Sequence, residues 1–515
     1  MDIAYTRSSR NMIALAAICL AQLMFALEIS SVPVILATLE KLLRADFKDL
    51  QWIMNAYTIA CTTVLMAAGT LADRYGRKRM FILSLTIFGI ASLICGLTRS
   101  APLLIAARFA QGMGGGAMFI CVIAILSNQF KQGAERVKAF GTWGIFLGFG
   151  LGFGPMIGGA IAALSGWQWV FLIHVPLAVL TLFLALGSVE ESRDPDAKKL
   201  DIVGIVTLSL AVFGLTYYIT QGAELGFASR DALCIVAATI VSFIAFLVVE
   251  RIHPHPMFDF SVFRIRKFSG AIMGSVGMNF SFWPFIIFLP IFYQTGLHYD
   301  VVTAGLSLLA YTLPTLAVPP MAERLSHRYR PGFVIPLGMF TIGLGFILMR
   351  FGAVSSVASG WTMLPGSLVA GIGLGLTNTP TTNTTTGAVP SSRAGMASGM
   401  DISARLISLA INIAVMGFVL VAGIVDHLRG ALPNTLSAAE LQSLGQRIAG
   451  GASIEALAQR FPVLAQADPS GAILHGALVQ GFSWLMLYGG FSVWVLAAIS
   501  FLIFSPGKAT QAAPT

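Results

Sequence analysis

Charge is scarce in this chain: 11% of its 515 residues are Asp, Glu, Lys or Arg, less than half the share usual in soluble domains. With 56% hydrophobic residues and a mean hydropathy of +0.81, that scarcity excludes a soluble globular domain. Cysteine is scarce too. Cys19, Cys61, Cys95, Cys121 and Cys234 form no CxxC and all fall in apolar runs, which points to small buried hydrophobes and to neither a metal ribbon nor a disulfide. There is no HExxH or GxSxG, and nothing resembles an ATP-binding loop. An intramembrane hydrolase and an ATP-driven pump are therefore excluded, and the chain reads as a non-enzyme without cofactor. His253 and His255 in "HPHP" are held by prolines on a short loop with no third ligand, so no metal site is assigned.

Long apolar runs are abundant. A helix rises about 1.5 Å per residue and needs about 20 residues to cross a ~30 Å hydrocarbon layer; about fourteen runs have that length. They lie near 12–36, 51–71, 80–98, 102–126, 139–163, 168–188 and 202–221, and then near 232–249, 269–293, 303–321, 332–350, 361–380, 398–425 and 477–504. With the N-terminus cytoplasmic, "DRYGRKR" (73–79), "KQGAERVK" (131–138), "RDPDAKK" (193–199), "RIRK" (264–267) and "ERLSHRYR" (323–330) fall on inner connections. About 21 Lys/Arg then lie inside against about 9 outside, the positive-inside bias of a cytoplasmic-membrane protein with both termini in the cytoplasm. The formal net charge of +9 is thus a topology signal facing the lipid bilayer, not a nucleic-acid surface. The first apolar run is too long for the core of a cleavable signal peptide and is followed directly by more spans.

The spans group as six, two and six. Spans 1–6 end at "VEESRDPDAKKLD" (189–201), spans 7–8 stand as a pair, and spans 9–14 follow "RIHPHPMFDFSVFRIRK" (251–267). The expected fold is all-α and polytopic: an N-terminal half, 1–200, two inserted helices, 201–250, and a C-terminal half, 251–515. Two six-span halves with a substrate site near the midplane between them is a transporter arrangement. Segment 426–475 is the sizeable polar connection, placed outside the cytoplasm. The spacing of Leu436, Leu441 and Leu444 predicts a short amphipathic helix in it.

Local motifs sharpen this. In "GTLADRYGRKR" (69–79), Gly69 and Gly76 permit tight turning, Asp73 can cap a helix or pair across the halves, and Arg74, Arg77 and Lys78 hold the loop at the cytoplasmic surface. This loop strongly resembles the signature inner loop of the major facilitator superfamily, which implies a latch acting on the inner gate. In "GFGLGFGPMIGGAIA" (148–162), Gly150, Gly154 and Gly158 repeat every four residues, so a neighbouring helix, expected from the other half, can approach closely. Pro155 removes a hydrogen bond and bends the span. Packing by small residues accounts for part of the pattern, but "GLGFGPMIGG" (150–159), with Gly159 at its end, looks like the superfamily motif that marks exporters working by antiport.

"LQWIMNAY" (50–57), "AARFAQGMGGG" (106–116), "WQWVFLIHVP" (167–176) and "VPSSRAGMASGMDISARL" (389–406) resemble signatures of fourteen-span drug:proton antiporters. That branch contains Gram-negative multidrug exporters that partner a periplasmic adaptor and Gram-positive quaternary-ammonium exporters. The resemblance implies efflux of lipophilic and cationic small molecules in exchange for protons. Two departures stand out: His174 occupies a position where asparagine is usual, and "LEISSVPVIL" (27–36) replaces an aspartate-threonine pattern.

Glu28 is a lone acid in an apolar span. Counted from Met12 it lies about 24 Å up span 1, and Arg108, counted from Pro102, lies about 9 Å below the opposite edge of a ~30 Å core, so the two depths agree. A carboxylate in hydrocarbon tends to take up a proton, whereas a nearby guanidinium favours ionisation. A pair whose separation changes can therefore load and release H⁺. In the resembling family, this acid and this arginine serve proton coupling; a static ion pair pinning two helices is the other reading, and both can hold.

Candidates for the substrate cavity are Gln111, one turn from Arg108; Tyr57; Asn279, Phe282 and Trp283 at a bend made by Pro284; and Asn378 in "LTNTPTTNTTT" (376–386). Aromatic residues there suit a flat cation or simply face lipid. Asp401 and Arg405, at i,i+4, read as an interfacial pair. A proton-coupled uptake permease and a lipid or fatty-acid exporter of the same fold remain the alternatives.

Overall fold

The computed structural model describes all residues except Met1, 131–132, 194–200, 254–259, 356–357, 390–393, 433–435, 453 and 506–515. The side chains of residues 2–9, 65, 66, 70, 73, 133, 134, 136, 137, 140, 223, 224, 327, 394–396, 454–456 and 465 are likewise outside the description. Much of "HPHP", the entry to span 13 and the Asp73 side chain therefore lie outside the described residues.

The described residues are helical and contain no strand. Helix α1 (Asp2–Ser31) passes through a 3-10 turn at Val32–Ile35, where Pro33 lacks an N–H, into α2 (Leu36–Leu43). Then come α3 (Phe47–Tyr75), α4 (Arg77–Leu97), α5 (Ala101–Gln129), α6 (Gly133–Ser165), α7 (Gln168–Leu172) and α8 (His174–Ser188). Two helices, α9 (Ile202–Leu225) and α10 (Arg230–Ile252), form a hairpin. The remaining helices are α11 (Arg266–Asn279), α12 (Phe282–Ile291), α13 (Val301–Thr312), α14 (Pro314–Ala317), α15 (Pro319–Tyr329), α16 (Pro331–Val354), α17 (Gly360–Gly387) and α18 (Ala394–Ala431). Three short helices, α19 (Ala438–Gly450), α20 (Ile454–Arg460) and α21 (Val463–Ala467), precede the final α22 (Ala472–Phe504).

Among the described residues, eleven helices are long and apolar enough to cross a membrane, or twelve if the pair bent by 41° at Val318 is one span. Helices α3 and α17, of 29 and 28 residues, also have the length of a span, and only with them does the count reach the expected fourteen. Sequence and structure differ at the prolines. The span expected at 269–293 is broken at Phe280–Ser281, so Pro284 falls in the first turn of α12, where a missing N–H costs nothing. The span expected at 168–188 is divided at Ile173 into α7 and α8.

Helix α1 packs on α6 and α8, and α5 on α3 and α4; in the second half α16 packs on α17 and α22, and α11 on α17, α18 and α22. The halves meet along α6–α13 and α3–α18, with α9 lying against both α3 and α18. Hydrogen bonds cross this seam: Gln51 Nε2 donates to the Ile413 carbonyl at 3.1 Å, Gln294 Nε2 to the Val34 carbonyl at 2.8 Å, and Thr312 Oγ1 to the Gly152 carbonyl at 2.6 Å.

The apolar core is asymmetric. On the side away from the termini, Val32–Leu39 and Phe47–Met54 of the first half merge with Phe282–Tyr293 and Ile413–Leu432 of the second into one buried cluster. On the termini side the halves keep separate clusters, one around Ala14–Phe25, Phe81 and Leu126, the other around Phe268, Ile272 and Met400. The polar segment 426–475 contains the expected amphipathic helix as α19, opened by a Ser437/Glu440 capping box and burying Leu441, Leu444 and Ile448. It packs on α18 and α22 and also touches α2 and α3.

Candidate functional site

Glu28 and Arg108 are in contact. Both are fully buried, and Arg108 Nη1 donates to Glu28 Oε1 in a short ion pair. The arginine is held through Nε and Nη1. Its Nε donates to the Ile53 carbonyl at 3.0 Å, Nη1 also reaches Gln111 Oε1 at 2.7 Å, and the guanidinium lies 4.4 Å from the centre of the Tyr57 ring. Gln111 in turn donates through Nε2 to Ser92 Oγ at 2.8 Å, so α1, α3, α4 and α5 share one polar network. Arg108 Nη2 and Glu28 Oε2 are left without a hydrogen-bond partner, so the pair is anchored on one side only.

The structure adds a residue that depth matching left out. His174, the first residue of α8 and fully buried, places Nε2 2.9 Å from Glu28 Oε2, within ion-pair distance but out of line for a hydrogen bond. Its ring meets Phe88 edge-on at 5.5 Å. A signal existed: counted from Gln168, His174 lies about 9 Å below the membrane edge, the depth assigned to Arg108. The two departures from the family pattern, at positions 28 and 174, thus face each other.

Tyr57, Arg108 and Trp283 line a small cavity of about 30 Å³ on the seam, with Phe25 and Ile287 beside them and Leu406 opposite. That volume suits about one water. The other cavity candidates lie elsewhere. Gln111 belongs to the arginine network, Asn279 Nδ2 donates back to the Ser275 carbonyl at 2.9 Å, and the Phe282 ring stacks on Tyr311 at 3.9 Å. Asn378 accepts from Arg405 Nη1.

That last contact belongs to a second buried cluster. Asp401, 1% exposed, accepts from Ser275 Oγ and from Arg405 Nε at 3.1 Å, while Arg405 Nη2 reaches Thr382 Oγ1 at 2.9 Å. The pair is tied to α11 and α17, with Asp401 buried and Arg405 partly exposed. The polar run 376–386 holding Asn378 and Thr382 was its signal.

The glycine stripe of α6 faces two ways. A Cβ at Gly154 would collide with Ser30 Oγ, and Gly150 and Gly158 abut Ala26 and Ser31, all on α1 of the same half. The expectation that Gly154 meets the other half is corrected: a period of four selects one helix face, and that face is covered by α1. The second half contacts Gly148, Gly152 and Gly159 instead, and Gly305 of α13 sits on the Pro155 carbonyl.

The loop between α3 and α4 is stapled within its own half. Gly76 adopts φ +115°, and the Glu191 carboxylate accepts the Lys78 and Arg79 N–H groups at 3.1 and 3.2 Å, serving as an external cap for α4. Arg77 N donates to the Ser192 carbonyl and Lys78 Nζ to the Leu186 carbonyl. Gly69 has room for a methyl group beside Ile120, and Arg74 lies 5.6 Å from the Tyr75 ring.

Two helical halves joined along a seam, with buried ion pairs inside them and a cavity lined from both, have the architecture of a multi-pass α-helical membrane transporter. A family model described as Major Facilitator Superfamily matches residues 18–412, and the chain belongs to that superfamily. It is 31% identical over 428 residues to the multidrug resistance protein Stp of Mycobacterium tuberculosis (strain CDC 1551 / Oshkosh), covering 82% of this chain and 79% of that one. It is 27% identical over 501 residues to the tetracenomycin C resistance and export protein of Streptomyces glaucescens, covering 94% and 90%. To the quinolone resistance protein NorB of Staphylococcus aureus (strain MRSA252) it is 28% identical over 406 residues, covering 79% and 87%. The fold is that of a bacterial homologue of the lysosomal transporter Spinster in an inward-facing, unoccupied conformation, with a TM-score of 0.63, 17% identity and coverage of 96% and 97%.

Proposed function

We propose that this chain exports lipophilic small molecules, cations among them, across the cytoplasmic membrane in exchange for protons, with Glu28 and Arg108 as the coupling pair. The observation that carries the reading is the fully buried Glu28–Arg108 contact beside a seam cavity to which Arg108 and Tyr57 contribute. A buried ion pair beside the seam of two moving halves sits where surroundings change as the halves rock, so the site around it can take up and release a proton. Relatives named for drug resistance and export support the direction of transport.

The termini face the cytoplasm in this reading, on the strength of the basic inner connections. The merged apolar cluster then closes the outer side while the inner clusters stay apart, which is the state that loads substrate from the cytoplasm. The stapled loop of Gly69, Asp73, Arg74, Gly76, Arg77 and Lys78 acts on the inner gate from within the first half.

Energised inverted vesicles challenged with lipophilic cations, anions and fatty acids, with internal pH recorded, test this. Uptake of lipophilic cations with proton release is expected. Uptake without proton release overturns antiport, and a response confined to fatty acids favours a lipid exporter of the same fold.

A further inference from the structure

Among the described residues, His174 is a fully buried titratable group that the proton-coupling reading leaves unused. The Glu28 carboxylate has two oxygens: Oε1 is taken by Arg108, and Oε2 is faced by His174 Nε2 at 2.9 Å. Lone pairs on both atoms would repel at that distance, so a proton resides on one of them. His174 Nδ1 has no hydrogen-bond partner and is shielded from solvent, which makes it an open acceptor inside the site. The charged and titratable groups gathered around the pair are Arg108 from α5, Tyr57 and Cys61 from α3, and Cys95 from α4; Gln111 and the Phe88 ring complete the wall.

We infer that His174 is a proton-binding residue of the coupling site, holding the transported proton on its imidazole with Glu28 as a fixed counter-ion. The inference rests on the antiport reading and names the atoms that serve it. Arg108 is fastened by the Ile53 carbonyl, Gln111 and the Tyr57 ring, so placing a proton on Glu28 would require breaking a buried ion pair. Placing it on the imidazole breaks nothing. With a proton on Nε2, the carboxylate side of the ring, the incoming proton forms an N–H bond at Nδ1, and the imidazolium stays within ion-pair distance of the carboxylate. On the other side of the cycle that N–H bond breaks and the proton leaves; nothing is oxidised or reduced. Imidazole titrates between about pH 5 and 8, where transmembrane pH differences are maintained.

The test uses the full-length protein in lipid and acid-minus-alkaline infrared difference spectra between about pH 8 and about pH 5. The expected result is an imidazole signal that moves on ¹⁵N-histidine labelling and is lost in His174→Gln and His174→Asn, with no carbonyl band from a protonated Glu28. In parallel, ΔpH-driven efflux of ethidium from cells should be lost in either variant, or persist only with its half-maximal rate about one pH unit or more towards acid, a tenfold change in proton affinity. A protonated-carboxyl band in the unsubstituted protein that vanishes in Glu28→Gln overturns the inference, and this measurement does not depend on how the histidine variants fold. An unchanged pH profile in well-folded His174→Gln also overturns it while leaving antiport standing. Full coupling in Glu28→Gln would instead remove the antiport reading itself.

Discussion

Gly305 of α13 rests on the carbonyl of Pro155 in α6, so closely that a Cβ at 305 would lie 2.7 Å from that oxygen. The proline turn of one half is thus seated directly on the backbone of the other, with no side chain between. A leucine at 305 must separate α6 from α13. We expect Gly305→Leu to weaken the seam and to lengthen α6–α13 distances measured by paired spin labels, with slower or absent efflux. Unaltered distances would remove this contact from the gate.

Gly154→Leu should act differently, because Gly154 faces Ser30 rather than the second half. Overpacking typically costs about 1–3 kcal/mol, and here it falls two residues from Glu28. The expected outcome is a lower unfolding temperature and loss of coupled efflux with seam distances preserved. Wild-type proton tightness and efflux in this variant would contradict the packing argument.

Glu28→Gln keeps the size of the side chain and removes its charge, leaving Arg108 buried without a counter-ion. Breaking a buried pair in this way costs about 3–5 kcal/mol. We expect a membrane-inserted, less stable protein in which ΔpH no longer drives export. Normal ΔpH-driven efflux would refute the role of Glu28.

Asp401 and Arg405 provide a test of the second cluster. Asp401→Asn strands Arg405 among Thr382 and Asn378, whereas Asp401→Leu combined with Arg405→Met removes both charges. Thermal unfolding in detergent should fall more in the single variant than in the double one, by about 1–4 kcal/mol. Equal losses would mean the pair is solvated in the functional cycle.

The capping box of α19 predicts a pH response outside the membrane. Hydrogen bonds from the Ser437 hydroxyl and N–H hold the Glu440 carboxyl below its ordinary value. A depressed folded value means stabilisation that is complete above the unfolded pKa and lost as pH falls through the folded one. Relative to the intrinsic rate at each pH, amide exchange in α19 should therefore quicken only below the usual glutamate range, about pH 4. Quickening near neutrality would point to another group.

The membrane-spanning character, the approximate span positions and the amphipathic α19 were legible because each is a local property: apolar run length, basic loop residues, and leucines at helical spacing. Glu28 and Arg108 were legible as partners because depth in a bilayer can be counted along a helix. Helix breaks were less legible, since the same proline is harmless in a first turn and disruptive one turn later, as Pro284 shows.

What sequence alone determined is thus a chain of apolar helices with two isolated charges at matching depth and a family pattern around them. Tertiary structure decided which faces meet. Ser30 Oγ reaches the Gly150 carbonyl across 120 residues of sequence, and no periodicity within α6 says whether α1 or α13 covers that glycine stripe. Likewise His174 joins Glu28, and Glu191 caps α4, only because α8 packs against α1 and α4. The physical reason is that depth and hydrophobicity are properties of one helix, whereas rotation about its axis is set by the small side chains and hydrogen bonds of its neighbours.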